Sequence, residues 1–370
     1  MKIERIEAIP YRIPMRKTLQ FASGAVEHID HVVLRITTDD GVQGIADIPP
    51  RPYTYGETPQ SVIALLTGIF REVLVGADPF DRSAIHHRLD RTVGNAATKG
   101  GIDIALWDII GKSLDKPVHR LLGGFAPSLL VSHMLGFDEP AVLVDEAQRY
   151  VAEYGITAFK VKVGRRPLAL DIAVCFALRE ALGPQIELYL DANRGWTATE
   201  AARVLAATSG LGLTYLEEPD DAKEVLGRRR LVRNSAIPIV ADESAPSLGD
   251  AAREIQTGGA TALSIKTART GFTESQKILA YAEALGIDVI MGNQIDTQIG
   301  SIATVTFGAA FEYSSRRAAE LSNYLDMADD LQAVPIAIRD GRISAPTVAG
   351  VGASIDPEKL AAYRIDGSVS

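Results

Sequence analysis

Short apolar runs and amphipathic segments alternate along the middle of the chain. From about Leu129, strand-like runs such as AFKVKVG and IPIVADES are separated by segments with helical periodicity, such as VLVDEAQRYVAEYG and TESQKILAYAEALG. This alternation predicts a parallel sheet whose strands are joined by helices. Eight strands are counted, the number that closes a (β/α) barrel. Their predicted ends are His133, Lys162, Asp191, Glu217, Asp242, Lys266, Asn293 and Glu320.

The two ends of the chain have other patterns. The first part reads as strands, with an Asp-Asp-Gly turn between two of them, and then as helices from about Thr58 to Leu121. The tail from about Leu331 returns to a strand-like pattern, a glycine-rich turn and a short helix, and we expect it to pack back on the N-terminal unit. The predicted organisation is an α+β capping domain at 1–125, a barrel domain at 126–325 and a C-terminal segment at 326–370.

Composition narrows the class of protein. The chain has 370 residues, 46% of them apolar, and a formal net charge of −9 with dispersed basic residues. These features argue against a nucleic-acid partner and a membrane surface. No apolar run approaches the roughly 20 residues of a membrane span, and no signal peptide is read at the N-terminus. The single cysteine, Cys175, excludes an intrachain disulfide and predicts a buried helical thiol in a cytoplasmic enzyme of small-molecule chemistry.

Three carboxylates follow apolar runs at a spacing of 26 and then 25 residues, namely Asp191, Glu217 and Asp242. Side chains at the carboxyl ends of parallel barrel strands converge on one face. Three oxygen ligands with room for water and substrate suit the octahedral shell of Mg²⁺. Zinc is disfavoured, because the cysteine and all histidines except His133 lie away from the predicted strand ends.

Three lysines complete the predicted constellation. Lys160 and Lys162 lie two apart in a strand and therefore project to the same side, and Lys266 ends a strand across the barrel. Crowded like charges beside a dication should lower the pKa of at least one lysine towards that of a general base. No histidine is available on strands two to eight, so the base must be a lysine or a carboxylate. The alternative for Lys160 and Lys162 is a surface strand with two solvated lysines.

Neighbours of the carboxylates have two interpretations. Asn193, Glu218 and Glu243 could orient the metal ligands. Glu218 and Glu243 are equally consistent with charges that face solvent. Together these parts predict proton transfer at the carbon α to a carboxylate, assisted by a metal.

The motifs that carry these residues resemble the enolase superfamily, and specifically its muconate-lactonizing branch. The likeness runs the whole length of the chain. It includes GIDIALWDIIGKSLDKPVHRLLGG, KVK at Lys160, DANRGW at Asp191, LEEP at Glu217, ADES at Asp242, SIKTARTG at Lys266 and the closing GVGASID. The resemblance implies a modified TIM barrel of (β/α)7β type, with an α+β capping domain built from the N-terminal part and the C-terminal tail.

The resemblance also implies roles for individual residues. Mg²⁺, for which Mn²⁺ can substitute, would be bound by Asp191, Glu217 and Asp242. Lys162 and Lys266 would be the acid/base lysines, and Lys160 an electrostatic partner of the enediolate. Implied substrate-binding residues are Tyr53, Tyr55, Asn193, Asn293 and Glu320.

Absent residues separate the branches of the superfamily. Racemases of the mandelate type carry a late histidine, and dipeptide epimerases carry Asp-x-Asp on strand eight, where this chain has Glu320, Leu321 and Ser322. The sequence segments RPYTYGET and FASG resemble the cap loops of muconate enzymes. The departures at Asn293 and Gln294, and at Phe272 after Gly271, favour the anti-cycloisomerising set.

The resulting hypothesis is conversion of cis,cis-muconate to muconolactone by an isomerase of aromatic compound catabolism. Lys266 is the expected proton donor if addition is anti, and Lys162 if it is syn. Rival activities are an o-succinylbenzoate synthase, an N-acylamino-acid racemase, a Schiff-base aldolase and a barrel retained as a binding protein. The expected partner is a small dicarboxylate substrate, and the resemblance implies a homo-oligomer, commonly an octamer.

Overall fold

An antiparallel sheet opens the chain. The computed structural model describes residues 1–22 and 24–365. In the sheet order β1-β2-β3, β2 pairs with both neighbours. The Asp-Asp-Gly turn joins β2 to β3 as predicted, with Gly41 at a φ of 83°. The strands are β1 (Ile3–Phe21), β2 (Gly24–Thr38) and β3 (Gln43–Ile48).

Helices cover one face of this sheet. The longest, α5, is buried along most of its length, since it lies between β3 and the barrel. Gly101 permits the close approach, because a Cβ atom there would lie 2.4 Å from Ile48 Cγ1. The helices are α1 (Pro52–Tyr55), α2 (Pro59–Thr67), α3 (Ile69–Leu74), α4 (Arg82–Leu89), α5 (Ala96–Ser113) and α6 (Val118–Leu122).

The middle of the chain forms a parallel barrel. Strands pair in chain order from β4 to β10, and β11 pairs with β4, so the ladder is open only between β10 and β11. The strands are β4 (Ser128–Leu135), β5 (Ala158–Lys162), β6 (Glu187–Asp191), β7 (Leu216–Glu217), β8 (Ile239–Ala241), β9 (Ala262–Ile265), β10 (Asp288–Met291) and β11 (Ala319–Glu320).

Helices follow the first seven of these strands. A 3₁₀ turn at Asn323–Asp326 follows β11 instead, so the (β/α)7β architecture is confirmed. The helices are α7 (Pro140–Tyr154), α8 (Ala169–Leu182), α9 (Ala198–Ala207), α10 (Val225–Asn234), α11 (Leu248–Thr257), α12 (Thr267–Leu285), α13 (Gln298–Gly308) and α14 (Glu312–Ser315). Cys175 is buried in α8, as predicted.

The predicted strand ends are close to the observed ones. Strands β5, β6, β7 and β11 end at the predicted residue, and β8 and β9 end one residue before it. The two corrections are at His133, since β4 continues to Leu135, and at Asn293, since β10 ends at Met291.

The tail contacts both the barrel and the N-terminal sheet. Its strand β12 (Arg342–Ser344) pairs antiparallel with β4 of the barrel, a pairing that was not predicted, whereas the end of the tail makes the expected return to the N-terminal unit. After α15 (Pro357–Tyr363), the backbone N–H of Ile365 donates to the carbonyl of Pro10 in β1, where the return does occur. The proposed boundaries of the three segments stay a prediction. No helix in the described residues is long and apolar enough to cross a membrane.

Candidate active site

Lys160 forms ion pairs with carboxylates from three strands at the carboxyl end of the barrel. Its Nζ lies 3.1 Å from Asp191 Oδ2, 2.8 Å from Glu217 Oε2 and 2.5 Å from Glu320 Oε1. The ladder explains this arrangement, since Asp191 lies opposite Glu217 in the parallel register of β6 and β7. The side chain of Lys160 is buried, so the alternative of a solvated surface strand is wrong.

Lys162 projects to the same side as Lys160, as the strand periodicity predicts. Its Nζ lies 2.6 Å from Asp191 Oδ2 and 2.7 Å from Asn193 Oδ1. The ammonium group also lies 5.3 Å from the centre of the Phe21 ring, which the N-terminal sheet supplies. Lys162 is therefore held between a barrel carboxylate and a ring of the cap.

Lys266 occupies the other side of the barrel with a different carboxylate. Its Nζ lies 2.5 Å from Asp242 Oδ2. Arg269 binds the second oxygen of Asp242 at 2.8 Å and donates to the hydroxyl of Tyr55 at 2.7 Å. Arg269 was not predicted, although it lies in the first turn of the helix that begins directly after Lys266.

The acids of this arrangement raise the pKa of Lys160 and Lys266, so the depression expected beside a bound dication is not seen at these two lysines and stays a prediction for the metal-bound site. Burial alone would lower the pKa of Lys160, but Asp191, Glu217 and Glu320 together raise it well above its ordinary value. Burial likewise opposes the charge of Lys266, and Asp242 again outweighs it, so its pKa is raised. The carboxylates outweigh the like charges that the prediction emphasised. Both side chains are therefore protonated and positively charged in this arrangement.

The three predicted metal ligands differ in how far nearby positive charges compensate their negative charge. Burial opposes the charge of Asp191, but Lys160 and Lys162 lower its pKa to about 2. Lys266 and Arg269 similarly lower the pKa of Asp242. Burial raises the pKa of Glu217 well above its ordinary value, and the nearby acids add to this effect against Lys160. Glu217 is thus the carboxylate with the least compensation.

A divalent cation fits the chemistry of this trio. Neither oxygen of Glu217 forms a hydrogen bond of good geometry within the described residues. Oxygen ligands of this kind, crowded and partly uncompensated, are those that a hard cation prefers. Within residues 1–22 and 24–365, however, the ligand atoms of Asp191, Glu217 and Asp242 do not all lie within 4.8 Å of one another. The group that meets this distance is His133, Glu146 and Asp326.

The neighbours of the trio support it from behind. Glu218 accepts hydrogen bonds from the backbone N–H groups of Asp242 at 2.6 Å and Ser244 at 2.9 Å, and it is fully buried. Asn193 donates to Glu243 at 2.9 Å. Burial and Asp242 raise the pKa of Glu243 to about 7. The solvent-facing interpretation is therefore wrong for Glu218, whereas Glu243 is half-buried and lines the cavity.

A small cavity of about 40 Å³ lies among these groups. Four of the five predicted substrate-binding residues line it: Tyr55, Asn193, Asn293 and Glu320. Tyr53 does not; its side chain is 86% exposed and lines an outer groove of about 520 Å³. The cavity is also lined by Arg51, from the RPYTYGET loop, and by Gln294.

Comparison with known proteins agrees with this geometry. Residues 142–359 match the enolase C-terminal domain-like family, and residues 5–123 match the mandelate racemase / muconate lactonizing enzyme N-terminal domain. A solved structure of muconate lactonizing enzyme from Mycobacterium smegmatis, complexed with muconolactone, is 52% identical, with a TM-score of 0.98 over 99% of this chain and 100% of that one.

Curated relatives carry more than one activity. Chloromuconate cycloisomerase from Cupriavidus pinatubonensis is 31% identical over 94% of this chain and 95% of its own length. L-Ala-D/L-Glu epimerase from Bacillus subtilis is 30% identical over 84% of this chain and 86% of its own length.

The capped (β/α)7β barrel and its strand-end lysines and carboxylates define an isomerase of the enolase superfamily. Within that superfamily, the chain belongs to the mandelate racemase / muconate lactonizing enzyme family, in its muconate-lactonizing branch. Members of the superfamily use a divalent metal.

Proposed function

We propose that this chain catalyses the Mg²⁺-dependent cycloisomerisation of cis,cis-muconate to muconolactone. The observation that carries the proposal is the placement of Lys162 and Lys266 on opposite sides of one cavity, each beside a different carboxylate. A lysine is thereby available to either face of a planar substrate. The similarity to muconate and chloromuconate cycloisomerases over almost the whole chain supports the same reaction.

The reaction needs one addition and one protonation. A carboxylate of muconate adds to the conjugated double bond, and the electron pair moves to the carbon α to the other carboxylate, as an enediolate. A lysine then gives its proton to that carbon. Asp191, Glu217 and Asp242 would hold the metal, which when bound supplies Lewis-acid stabilisation of the developing negative charge. Lys160, buried beside the same carboxylates, would add a fixed positive charge.

The identity of the donor follows from the face of addition. We propose anti addition with Lys266 as the proton donor, and Lys162 as an electrostatic clamp opposite. The raised pKa of Lys266 supports this role, because the side chain is protonated before the substrate is attacked. Syn addition would exchange the two roles.

A solvent-deuterium experiment tests the assignment. The muconolactone formed in deuterated water is examined by NMR for wild type, Lys162→Ala and Lys266→Ala. We expect wild type to give the product of anti addition. We expect Lys266→Ala to show the larger loss of turnover of the two variants, roughly a hundredfold or more. Lys277→Ala, an exposed lysine of α12, is the matched control. Equal activity of Lys162→Ala and Lys266→Ala would contradict the assignment.

A racemase or epimerase is the second candidate, because the epimerase relative is 30% identical, close to the 31% of the cycloisomerases. Two opposed lysines also suit the removal and return of a proton on opposite faces. Glu320 favours muconate as the substrate, because dipeptide epimerases carry an Asp-x-Asp motif on the eighth barrel strand, where this chain has Glu320, Leu321 and Ser322. Turnover of muconate, N-acylamino acids, dipeptides and the o-succinylbenzoate precursor, with and without EDTA, separates these activities.

Other properties stay predictions from the sequence. They are Mg²⁺ as the native metal with Mn²⁺ as a substitute, a cytoplasmic location, and a homo-oligomer such as an octamer. Metal analysis and light scattering of the purified protein test the first and the last.

A further inference from the structure

Two polar side chains at the catalytic cavity have no use in the proposed reaction. Gln294 is 4% exposed, and neither its Nε2 nor its Oε1 has a hydrogen-bond partner in the described part of the chain. The guanidinium of Arg51 likewise forms no hydrogen bond or ion pair with residues 1–22 or 24–365. Both side chains line the same cavity.

Both belong to backbone segments with unfavourable torsions. Ile295, directly after Gln294, has a φ of 63°, and Arg51 has a φ of 52°. A β-branched or long side chain in the left-handed region costs about 1 to 3 kcal/mol and persists only where the surroundings impose it. The two loops therefore hold Arg51 and Gln294 at the cavity rather than in the relaxed conformations open to a surface loop.

The unpartnered groups define the ligand that they would accept. A buried amide without a partner costs about 1 to 3 kcal/mol, which a ligand acceptor can recover. Burial lowers the pKa of Arg51, so its charge is only partly compensated by the acids around it. The two acids that line the cavity are already engaged, Glu243 with Asn193 and Glu320 with Lys160. A guanidinium fork and a free amide N–H that line one cavity together match the two oxygens of a carboxylate.

We propose that Arg51 and Gln294 together bind the substrate carboxylate that the metal does not hold. Arg51 donates to both oxygens, and Gln294 Nε2 donates to one of them. In the proposed function, on which this inference rests, that carboxylate is the one that adds to the double bond. Fixing it to one rim of the cavity fixes the face of addition, and so ties the cap loop of Arg51 to the stereochemistry of the product.

Calorimetric titration with adipate and hexanoate, in saturating Mg²⁺, tests the inference without turnover. The two probes share a six-carbon chain and one carboxylate, and only adipate offers a second. We expect wild type to prefer adipate at least tenfold, and Arg51→Met and Gln294→Met to reduce that preference below threefold. Gln294→Glu, which replaces the donor by a second anion, should abolish it. Arg71→Met and Gln60→Met, exposed residues of α3 and α2, should keep it.

The outcomes separate this inference from the proposed function. Thermal unfolding first establishes that each variant is folded, and Arg51→Lys and Gln294→Asn replace any that is not. If both variants keep the preference for adipate, or if wild type lacks it, Arg51 and Gln294 do not bind the second carboxylate, even if muconate is converted. If both variants lose the preference, the proposed carboxylate site is supported. If wild type then fails to convert muconate, only the proposed function is overturned.

Discussion

Glu218 lies behind the strand-end carboxylates and fixes the position of Asp242. One oxygen accepts from the backbone N–H groups of Asp242 and Ser244, and the other lies 3.1 Å from Arg228 Nη1. Glu218 and Arg228 are both buried. A buried pair costs desolvation on both sides, so its main effect here is positional: Glu218 holds the start of the loop after β8, and with it Asp242, in place.

We expect Glu218→Gln to lower the free energy of unfolding by about 3 to 5 kcal/mol, because it removes the nearest carboxylate from the buried guanidinium of Arg228 and leaves only the longer contacts with Asp220 at 3.5 Å and Glu254 at 3.9 Å. Urea unfolding measures the change. The control is Glu312→Gln, which removes an exposed pair with Arg316 and should cost less than about 0.5 kcal/mol. A Glu218→Gln protein as stable as the control would show that the pair does not hold this loop.

Asp296 is a second residue whose charge is poorly compensated. Neither of its oxygens forms a hydrogen bond of good geometry in the described part of the chain. Burial, together with Asp47, raises the pKa of Asp296 to about 7, against the opposing effects of His31 and Lys266. The folded protein therefore holds a proton that the unfolded chain has released above a pH of about 4.

Stability should consequently fall as the pH rises from about 4 to about 7, by on the order of 4 kcal/mol from this residue. Asp296→Asn keeps the shape and removes the titration, so its decline over this range should be smaller than that of wild type. Unfolding free energies at several pH values provide the measurement, with the exposed Asp145→Asn as control. Parallel curves for wild type and Asp296→Asn would exclude the proton on Asp296.

At the scale of elements, α12 connects the barrel to the capping domain, and its helical backbone is interrupted at one residue. Gly271 has a φ of 58° inside the helix. Asp103 of α5 caps the second half, since it accepts from the backbone N–H groups of Phe272 and Thr273. A Cβ atom at Gly271 would lie 2.6 Å from Asp103 Cβ. The break brings Lys266 to the cavity while the rest of the helix packs on α5.

We expect Gly271→Ala to lower the free energy of unfolding by about 2 to 4 kcal/mol, from the left-handed torsion and from displacement of Asp103. Gly286→Ala at the end of the same helix is the matched control. Gly286 has a φ of 66° but no atom within 4 Å of its Cβ position, so it reports the torsion alone, about 1 kcal/mol. Equal losses in the two variants, by thermal or urea unfolding, would remove the contact with Asp103 as a cause.

The elements show which information the sequence carries. Strand ends were predicted closely because an apolar run that stops at a charge reflects local burial. The pairing of β12 with β4 was missed, because a short strand carries no signal about its distant partner. The raised pKa of Lys160 was missed for the same reason, since it depends on acids that other strands supply. Arg269 was missed because a helical arginine usually faces solvent, whereas here it is buried against Asp242.

At the scale of the whole molecule, the cavity is the place where charges from most barrel strands meet. Acids from β6, β7 and β11 surround Lys160, and Asp242 after β8 meets Lys266 after β9. Mutual repulsion among these acids opposes folding, and the lysines offset only part of it, as the raised pKa of Glu217 shows. A cation that binds the folded barrel should therefore stabilise the whole fold through linkage.

We expect Mg²⁺ at a hundred times its dissociation constant to raise the free energy of unfolding by about 2.7 kcal/mol, and EDTA to reverse the gain. Glu217→Gln removes the least compensated ligand and should abolish most of this response. Asp326→Asn is the decisive control, because it alters the separate group with His133 and Glu146. If the response survives Glu217→Gln and is lost in Asp326→Asn, the stabilising cation binds at that group, and the strand-end carboxylates lose their assignment as its ligands.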